Sequence, residues 1–459
     1  MHTGQSPTGK LAARMVAARE AALPAEVATR ATHHLLDTLA AMASGTALPV
    51  GGWAMKYAAL QGVGADASVI GLKGRFNGVV VALANGMLAH ADETDDSHAG
   101  AGMHPGCAIL PAALAMAEKN AASGRSLLAA MVLGYDVGPR LMAAIGADLR
   151  DQNRRYDTHA VGGTFGAAAA AGALATAPLD ERQCRHLLSY AAHQASGLAS
   201  YPMDTGHVEK AFIFGGMPAR SGMTAATMIE AGFTGIDDDL EGPNGFLFSF
   251  GREKADATRL ADGLGARFEI MRTNIKKYSV GSPIQAPVDC LTNIMRAQKV
   301  GPDDYASMVV HTAAGEDKIT RTDQHMSNLN LRYLLAATLL DGGLTFRAAH
   351  DEERVHRPEI ERIAKTISIR ANPVLVSAAS PRQGIVEFVT RDGRTFSDHV
   401  VTVRGAMENP MSTEEVVAKA NDLLRTVLPA ERVERIIATV LDIETLADVR
   451  QLTALFAPD

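Results

Sequence analysis

The chain has 459 residues, of which 47% are hydrophobic and 21% charged, with a formal net charge of −7. That length predicts two domains, and the composition excludes a disordered chain. The acidic balance argues against nucleic acid or an anionic membrane as partner, so a site for an anionic substrate must gather its positive charge locally.

The N-terminal stretch Met1–Lys10 carries no apolar run, and a cytoplasmic protein is expected. From Leu11 to about Gly235 apolar residues recur at three- and four-residue spacing, with Gly or Pro between segments. This pattern predicts helices over Leu11–Ala22, Glu26–Ala43, Val79–His90, Cys107–Ala122, Ser126–Gly146, Gly163–Ala175, Asp180–Gly197 and Ala219–Ala231. The uncharged run Ala160–Leu179 is built of Ala and Gly, which predicts a close-packed buried helix instead of a membrane span. Cys107, Cys184 and Cys290 are scattered and form no CxxC pair, so neither a disulfide framework nor a zinc motif is expected.

After about Gly251 the character changes. Met308–Thr312, Thr366–Arg370, Gly384–Val389 and Thr395–Arg404 are rich in β-branched residues, and Arg391-Asp392-Gly393 signals a hairpin turn between the last two. A helix over about Ser327–Leu340 interrupts these strands, and helices return near Thr413–Val427 and Ala430–Phe456. The expected fold is mostly α: a helical domain from residues 1–267, an α+β domain at 268–403, and C-terminal helices at 404–459 that rejoin the first domain.

The densest set of ionisable side chains is His90-Ala91-Asp92-Glu93-Thr94-Asp95-Asp96-Ser97-His98, followed by His104-Pro105-Gly106. It leaves one apolar helix and enters another. Adjacent carboxylates and imidazoles at helix ends suit proton transfer, because proximity and partial burial pull their pKa values apart. An acidic surface loop is the plain alternative. A metal centre, and with it a metal-dependent hydrolase, is the sharper one, although the spacing matches no standard zinc motif.

Arg154-Arg155-Tyr156-Asp157-Thr158-His159 runs into the Gly-rich helix start Gly162-Gly163-Thr164-Phe165-Gly166, where free backbone N–H groups can hold a carboxylate. Lys210 precedes an apolar run and Gly215-Gly216. Lys276-Lys277-Tyr278, with Ser282-Pro283-Ile284-Gln285 after it, lies near the predicted domain boundary. These cationic and amide groups suit carboxylate binding, and solvated surface positions are the alternative for each. Asp237-Asp238-Asp239 begins like an EF-hand loop, but Phe248 stands where the bidentate Glu is needed.

Taken in order and spacing, these segments resemble the MmgE/PrpD family, which includes 2-methylcitrate dehydratase, cis-aconitate decarboxylase and iminodisuccinate epimerase. The match also draws on Pro111-Ala112-Ala113-Leu114-Ala115, Gly134-Tyr135-Asp136-Val137 and Gly232-Phe233-Thr234-Gly235. The resemblance implies a helical domain with an α+β lid, a cleft site, a homodimer, a small carboxylate substrate and no metal or organic cofactor.

By resemblance, the catalytic positions fall on Glu93, Asp96, His104, His159 and Lys210, and substrate-binding positions on Asp92, Ser97, Asp157, Lys276, Lys277, Tyr278 and Gln285. Glu93 or Asp96 is expected to orient His104. Two positions depart from the family pattern. Asp157 stands where many members carry His, with His159 two residues on, and Gln285 stands in place of a lid histidine. Gln transfers no proton near neutral pH. The implied activity is dehydration of a 2-methylcitrate-like hydroxy acid, with epimerisation, isomerisation or decarboxylation of a related di- or tricarboxylate as alternatives.

Overall fold

A computed structural model describes residues 6–19, 21–147, 156–313, 326–375 and 382–458. Its helices are, in chain order, α1 (Pro7–Ala18), α2 (Ala25–Gly45), α3 (Pro49–Leu60), α4 (Gly78–Ala89), α5 (Gly106–Lys119), α6 (Gly124–Ala144), α7 (Thr158–Ala173), α8 (Glu181–Gln194) and α9 (Val208–Ala211). Then come α10 (Met217–Glu230), α11 (Phe246–Phe250), α12 (Gln285–Gln298), α13 (Leu331–Asp341), α14 (Phe346–Ala349), α15 (Pro358–Ala364), α16 (Thr413–Leu424), α17 (Ala430–Leu441) and α18 (Arg450–Thr453). The strands are β1 (Tyr305–Thr312), β2 (Ile367–Ala371), β3 (Gly384–Thr390) and β4 (Thr395–Val400).

The chain forms two units, one of residues 1–91, 95–274 and 416–459, the other of residues 92–94 and 275–415. The first is helical. In it α7 packs on α5, α6 and α10, and α4 packs on α5. Small residues set how closely these helices approach. A Cβ placed on Gly134 of α6 would meet the Gly166 carbonyl oxygen of α7 at 2.7 Å, and one on Gly166 would meet the Gly134 oxygen at 2.8 Å. Backbones in such contact leave no room for a side chain between them, which is what the Ala and Gly richness of these segments allows.

Helix α6 is long and apolar enough to cross a membrane by length and composition. Of its apolar stretch, 94% is buried inside the protein, as in the core helix of a folded domain.

The second unit holds a four-stranded sheet in the order β2-β1-β3-β4. Its β1–β2 pair is parallel, and its β1–β3 and β3–β4 pairs are antiparallel. Burial alternates along β3, as one covered face requires. Helix α12 lies on β3 and β4, and Ile284, Leu291, Leu334, Leu339, Val310, Val386 and Phe388 share one core.

The hairpin forms at Arg391-Asp392-Gly393, with Gly393 at φ 86°. Strand β4 ends at Val400, short of the expected Arg404. Expected and observed helices coincide for α1, α2, α4–α8, α10, α13, α16 and α17, within a few residues except at the start of α7 and the end of the last. The sequence reading did not anticipate α3, α9, α11, α12, α14, α15 or α18 as separate helices. The expected last helix is broken, since α17 ends at Leu441 and only short turns follow.

Candidate active site

Four chain segments of the helical unit converge. The first is the C-terminus of α4, at His90, followed by Asp95 and Asp96. The second is His104, just before α5. The third is the start of α7, at Asp157 and His159, and the fourth is the turn and helix from His207 to Gly216. The fourth meets the first because of glycine. A Cβ on Gly215 would lie 2.0 Å from the Gly86 oxygen of α4, and one on Gly86 would lie 2.5 Å from the Gly215 oxygen. At this contact Phe212–Gly216 forms a π-helical turn, a local widening that often marks functional sites.

That turn delivers Phe214 to the middle of a ring cluster. Its ring stacks on His159 at 3.6 Å and 13° and on His90 at 4.6 Å and 25°, and lies 5.6 Å from His104 and 4.8 Å from Tyr201. His207 lies 5.0 Å from His90, and His104 lies 5.2 Å from His159. Lys210 Nζ lies 5.1 Å from the Phe214 ring and 5.7 Å from that of Tyr201, at cation–π range.

Asp95 organises the cluster. Its Oδ1 is 3.0 Å from His104 Nδ1 and its Oδ2 is 2.9 Å from His90 Nδ1. An ionised carboxylate only accepts, so His104 presents Nδ1–H to it. Asp95, which the sequence expectation did not include, holds His104 directly.

Asp96 faces a different set. Its Oδ1 accepts from the Gly106 N–H at 2.9 Å, capping α5, and its Oδ2 accepts from Tyr135 Oη at 2.5 Å and lies 2.8 Å from His34 Nδ1. Burial pushes His34 down to about 4, against the pull of Asp96, and raises the Tyr135 phenol, so both stay neutral donors. Asp96 thus fixes where α5 starts, and with it His104. Ser97 pairs with Asn274 through both backbone groups, at 2.9 and 2.8 Å.

Asp157 caps α7. Its Oδ1 accepts from the Ala160 N–H at 2.9 Å and its Oδ2 lies 3.3 Å from His159 Nδ1. It serves His159 and the helix start. Burial lowers the His159 pKa, outweighing Asp157. Arg154 and Arg155 lie outside the described residues.

Asp92, Glu93, Lys276, Lys277, Tyr278 and Gln285 belong to the other unit. Lys276 is buried, and its Nζ donates to the Glu93 carbonyl at 2.7 Å and lies 3.7 Å from Glu93 Oε2. Asp92 accepts from Thr94 N and Oγ1 at 2.9 and 2.6 Å and lies 2.8 Å from His350 Nε2. Burial alone would push His350 down and Asp92 up. Their pairing reverses both, leaving His350 raised and Asp92 lowered.

Lys277 Nζ and Tyr278 Oη both reach Asp289 Oδ1, at 2.7 and 3.0 Å. Gln285 spends its whole amide on the adjoining backbone. Its Oε1 accepts from Tyr278 N at 3.1 Å, and its Nε2 donates to the Tyr278 and Val280 carbonyls at 2.9 and 3.0 Å. It staples a turn of the adjoining backbone.

For a metal, His90, Asp95 and Cys107 each bring a donor atom within 4.8 Å of the others. These donors are already committed. The Cys107 thiol donates to the His104 and Phe214 carbonyls at 3.2 and 3.5 Å, and His90 Nδ1 to Asp95. Held in this way, the thiol and the His90–Asp95 pair suit a proton-transfer cluster. Sequence reasoning missed Asp95, His90, His207, Phe214, Tyr201 and His350. The first two lay inside the segment it singled out, whereas the aromatic platform left no recognisable spacing.

Two family models match the chain. The one described as MmgE/PrpD N-terminal domain matches residues 9–257, and the one described as MmgE/PrpD C-terminal domain matches residues 278–444. Among curated proteins, the chain is 27% identical to the cis-aconitate decarboxylase-like protein oryM of Aspergillus oryzae, over 99% of each chain. It is 26% identical to the cis-aconitate decarboxylase of Homo sapiens over 94% of this chain and 90% of that one. With the cis-aconitate decarboxylase of Aspergillus terreus it shares 27% identity over 94% and 92%.

Proposed function

The chain belongs to the MmgE/PrpD family, and from that premise we propose that it is a lyase of small polycarboxylates, releasing CO2 from a cis-aconitate-type substrate by acid–base chemistry centred on His104. The observation that carries the mechanism is the Asp95–His104 pair at 3.0 Å, set among three further imidazoles and Lys210. The names of the relatives favour loss of CO2 over the loss of water expected from sequence.

In this reaction the bond between a carboxylate and the adjoining carbon breaks. Its electron pair stays behind as an allylic carbanion, delocalised towards a second carboxylate, and CO2 leaves. Quenching that carbanion takes one proton at carbon. His104 suits the donor: Asp95 stabilises its imidazolium through Nδ1–H, and Nε2–H is the proton delivered. His159, kept neutral by burial, suits a hydrogen bond to substrate or the return of the proton. Lys210, part-exposed beside the aromatic platform, suits a substrate carboxylate.

The test is incubation in D2O with cis-aconitate, 2-methylcitrate and citrate, each followed by NMR. Loss of CO2 with one deuteron bound at product carbon supports the proposal. Water loss from 2-methylcitrate with cis-aconitate untouched replaces it with the dehydratase reading, and deuterium exchange without net loss points to an epimerase.

A further inference from the structure

One carboxylate, that of Asp95, serves two imidazoles, and the two are not equivalent. His90 has no accessible surface, its ring lies flat on Phe214, and its Nε2 meets no hydrogen-bond partner among the described residues. Its Nδ1 lies 2.9 Å from Asp95 Oδ2, which as a carboxylate oxygen accepts. His90 is therefore an Nδ1–H donor to Asp95. His104 keeps 8% of its surface exposed and is the ring of the pair placed to gain and lose a proton.

We propose that His90 is a positioning residue that sets the protonation equilibrium of His104 through Asp95. By donating permanently to Oδ2, His90 draws off part of the carboxylate's charge, so the His104 imidazolium is stabilised less than a one-to-one Asp–His pair would stabilise it. The same donor keeps the carboxylate plane aimed so that Oδ1 holds the His104 proton on Nδ1.

This inference rests on His104 being the acid–base group proposed above. The other ionisable groups around the trio are distinct from it. Asp157 and His159 approach from the start of α7, and His207 and Lys210 from the segment at α9. Cys107 stands on α5, and Asp96 with His34 and Tyr135 faces the other side of the loop. All of them are left unchanged in the test.

The experiment titrates the His104 imidazole by 15N and 1H NMR in the whole protein, for wild type, His90→Leu and His90→Asn. Leu removes the donor, whereas the Asn amide N–H stands close to where Nδ1–H stood. His90→Leu is expected to raise the His104 pKa by roughly one pH unit and to move the acid limb of the kcat/KM profile upward with it. His90→Asn is expected to restore both.

A folded His90→Leu protein whose His104 titrates as in wild type overturns the proposal. Wild-type spectra supply a second arm that does not depend on how the variants fold. They should show both His90 and His104 protonated at Nδ1, and finding His90 protonated at Nε2 alone also overturns it. His104→Ala with full turnover would instead remove the acid–base reading and leave the titration result standing.

Discussion

Asp95→Asn is the substitution that bears most directly on the chemistry. The change keeps shape and volume but leaves one acceptor oxygen and adds an N–H2 donor. Two Nδ1–H groups, at 2.9 and 3.0 Å, then compete for a single oxygen. One ring must turn its lone pair to the amide and carry its proton on Nε2. A hydrogen bond to a charged group contributes about 1.5–3 kcal/mol, which is roughly a 10- to 150-fold loss in rate if it stabilises the imidazolium in the transition state.

A switched tautomer at His104 adds to that loss, up to about 10⁴-fold in comparable carboxylate–histidine pairs. The expected fall in kcat is therefore about 10²- to 10⁴-fold, with KM little changed because Asp95 is buried behind His104. The assay is CO2 release from cis-aconitate under saturating conditions, together with a thermal melt to establish folding. A folded Asp95→Asn protein with kcat within threefold of wild type would refute the reasoning.

Three further outcomes follow from the geometry. Gly215→Ala places a methyl 2.0 Å from the Gly86 oxygen, so α4 must move; a loss of about 3 kcal/mol in stability and a large drop in turnover are expected, and wild-type melting would contradict the close-contact argument. Gln285→His, which restores the residue type many family members carry, is expected to gain no activity and to lose about 1–3 kcal/mol, because an imidazole cannot give two carbonyls and one N–H their partners at once. For the Asp92–His350 pair, breaking it with Asp92→Asn should cost about 3 kcal/mol by denaturant titration. That difference should be full between roughly pH 4 and 6.5. His350 is raised, so the difference fades as pH rises through its folded value; Asp92 is lowered, so it fades as pH falls through its own. A pH-independent difference would count against the pairing.

The helical frame was legible because apolar periodicity and small residues survive in one dimension, and the strands because Ile, Val and Thr cluster at β1–β4. Helix α3 was not, since Gly51 and Gly52 sit inside it and Trp53, Tyr57 and Leu60 are exposed, which blurs any apolar stripe. The active-site segment announced itself by its density of acids and imidazoles. Sequence could not tell that the neighbours Asp95 and Asp96 point to different partners, one to two histidines and the other to a helix start, because that depends on the turn between α4 and α5. Nor did it reveal Phe214, which reads as an ordinary core aromatic until the π-helical turn sets it among the histidines. His207 was hidden for another reason: its φ of 59° is a rare backbone state that no local pattern announced.

The central claim is that His104, held by Asp95, delivers the proton that completes the lyase reaction. Its most direct test is to compare wild type with a folded His104→Ala protein in D2O, measuring CO2 release from cis-aconitate and deuterium at the product carbon. The account predicts one deuteron per CO2 in wild type and loss of both signals in the variant. Undiminished CO2 release with full deuterium incorporation by His104→Ala would contradict it.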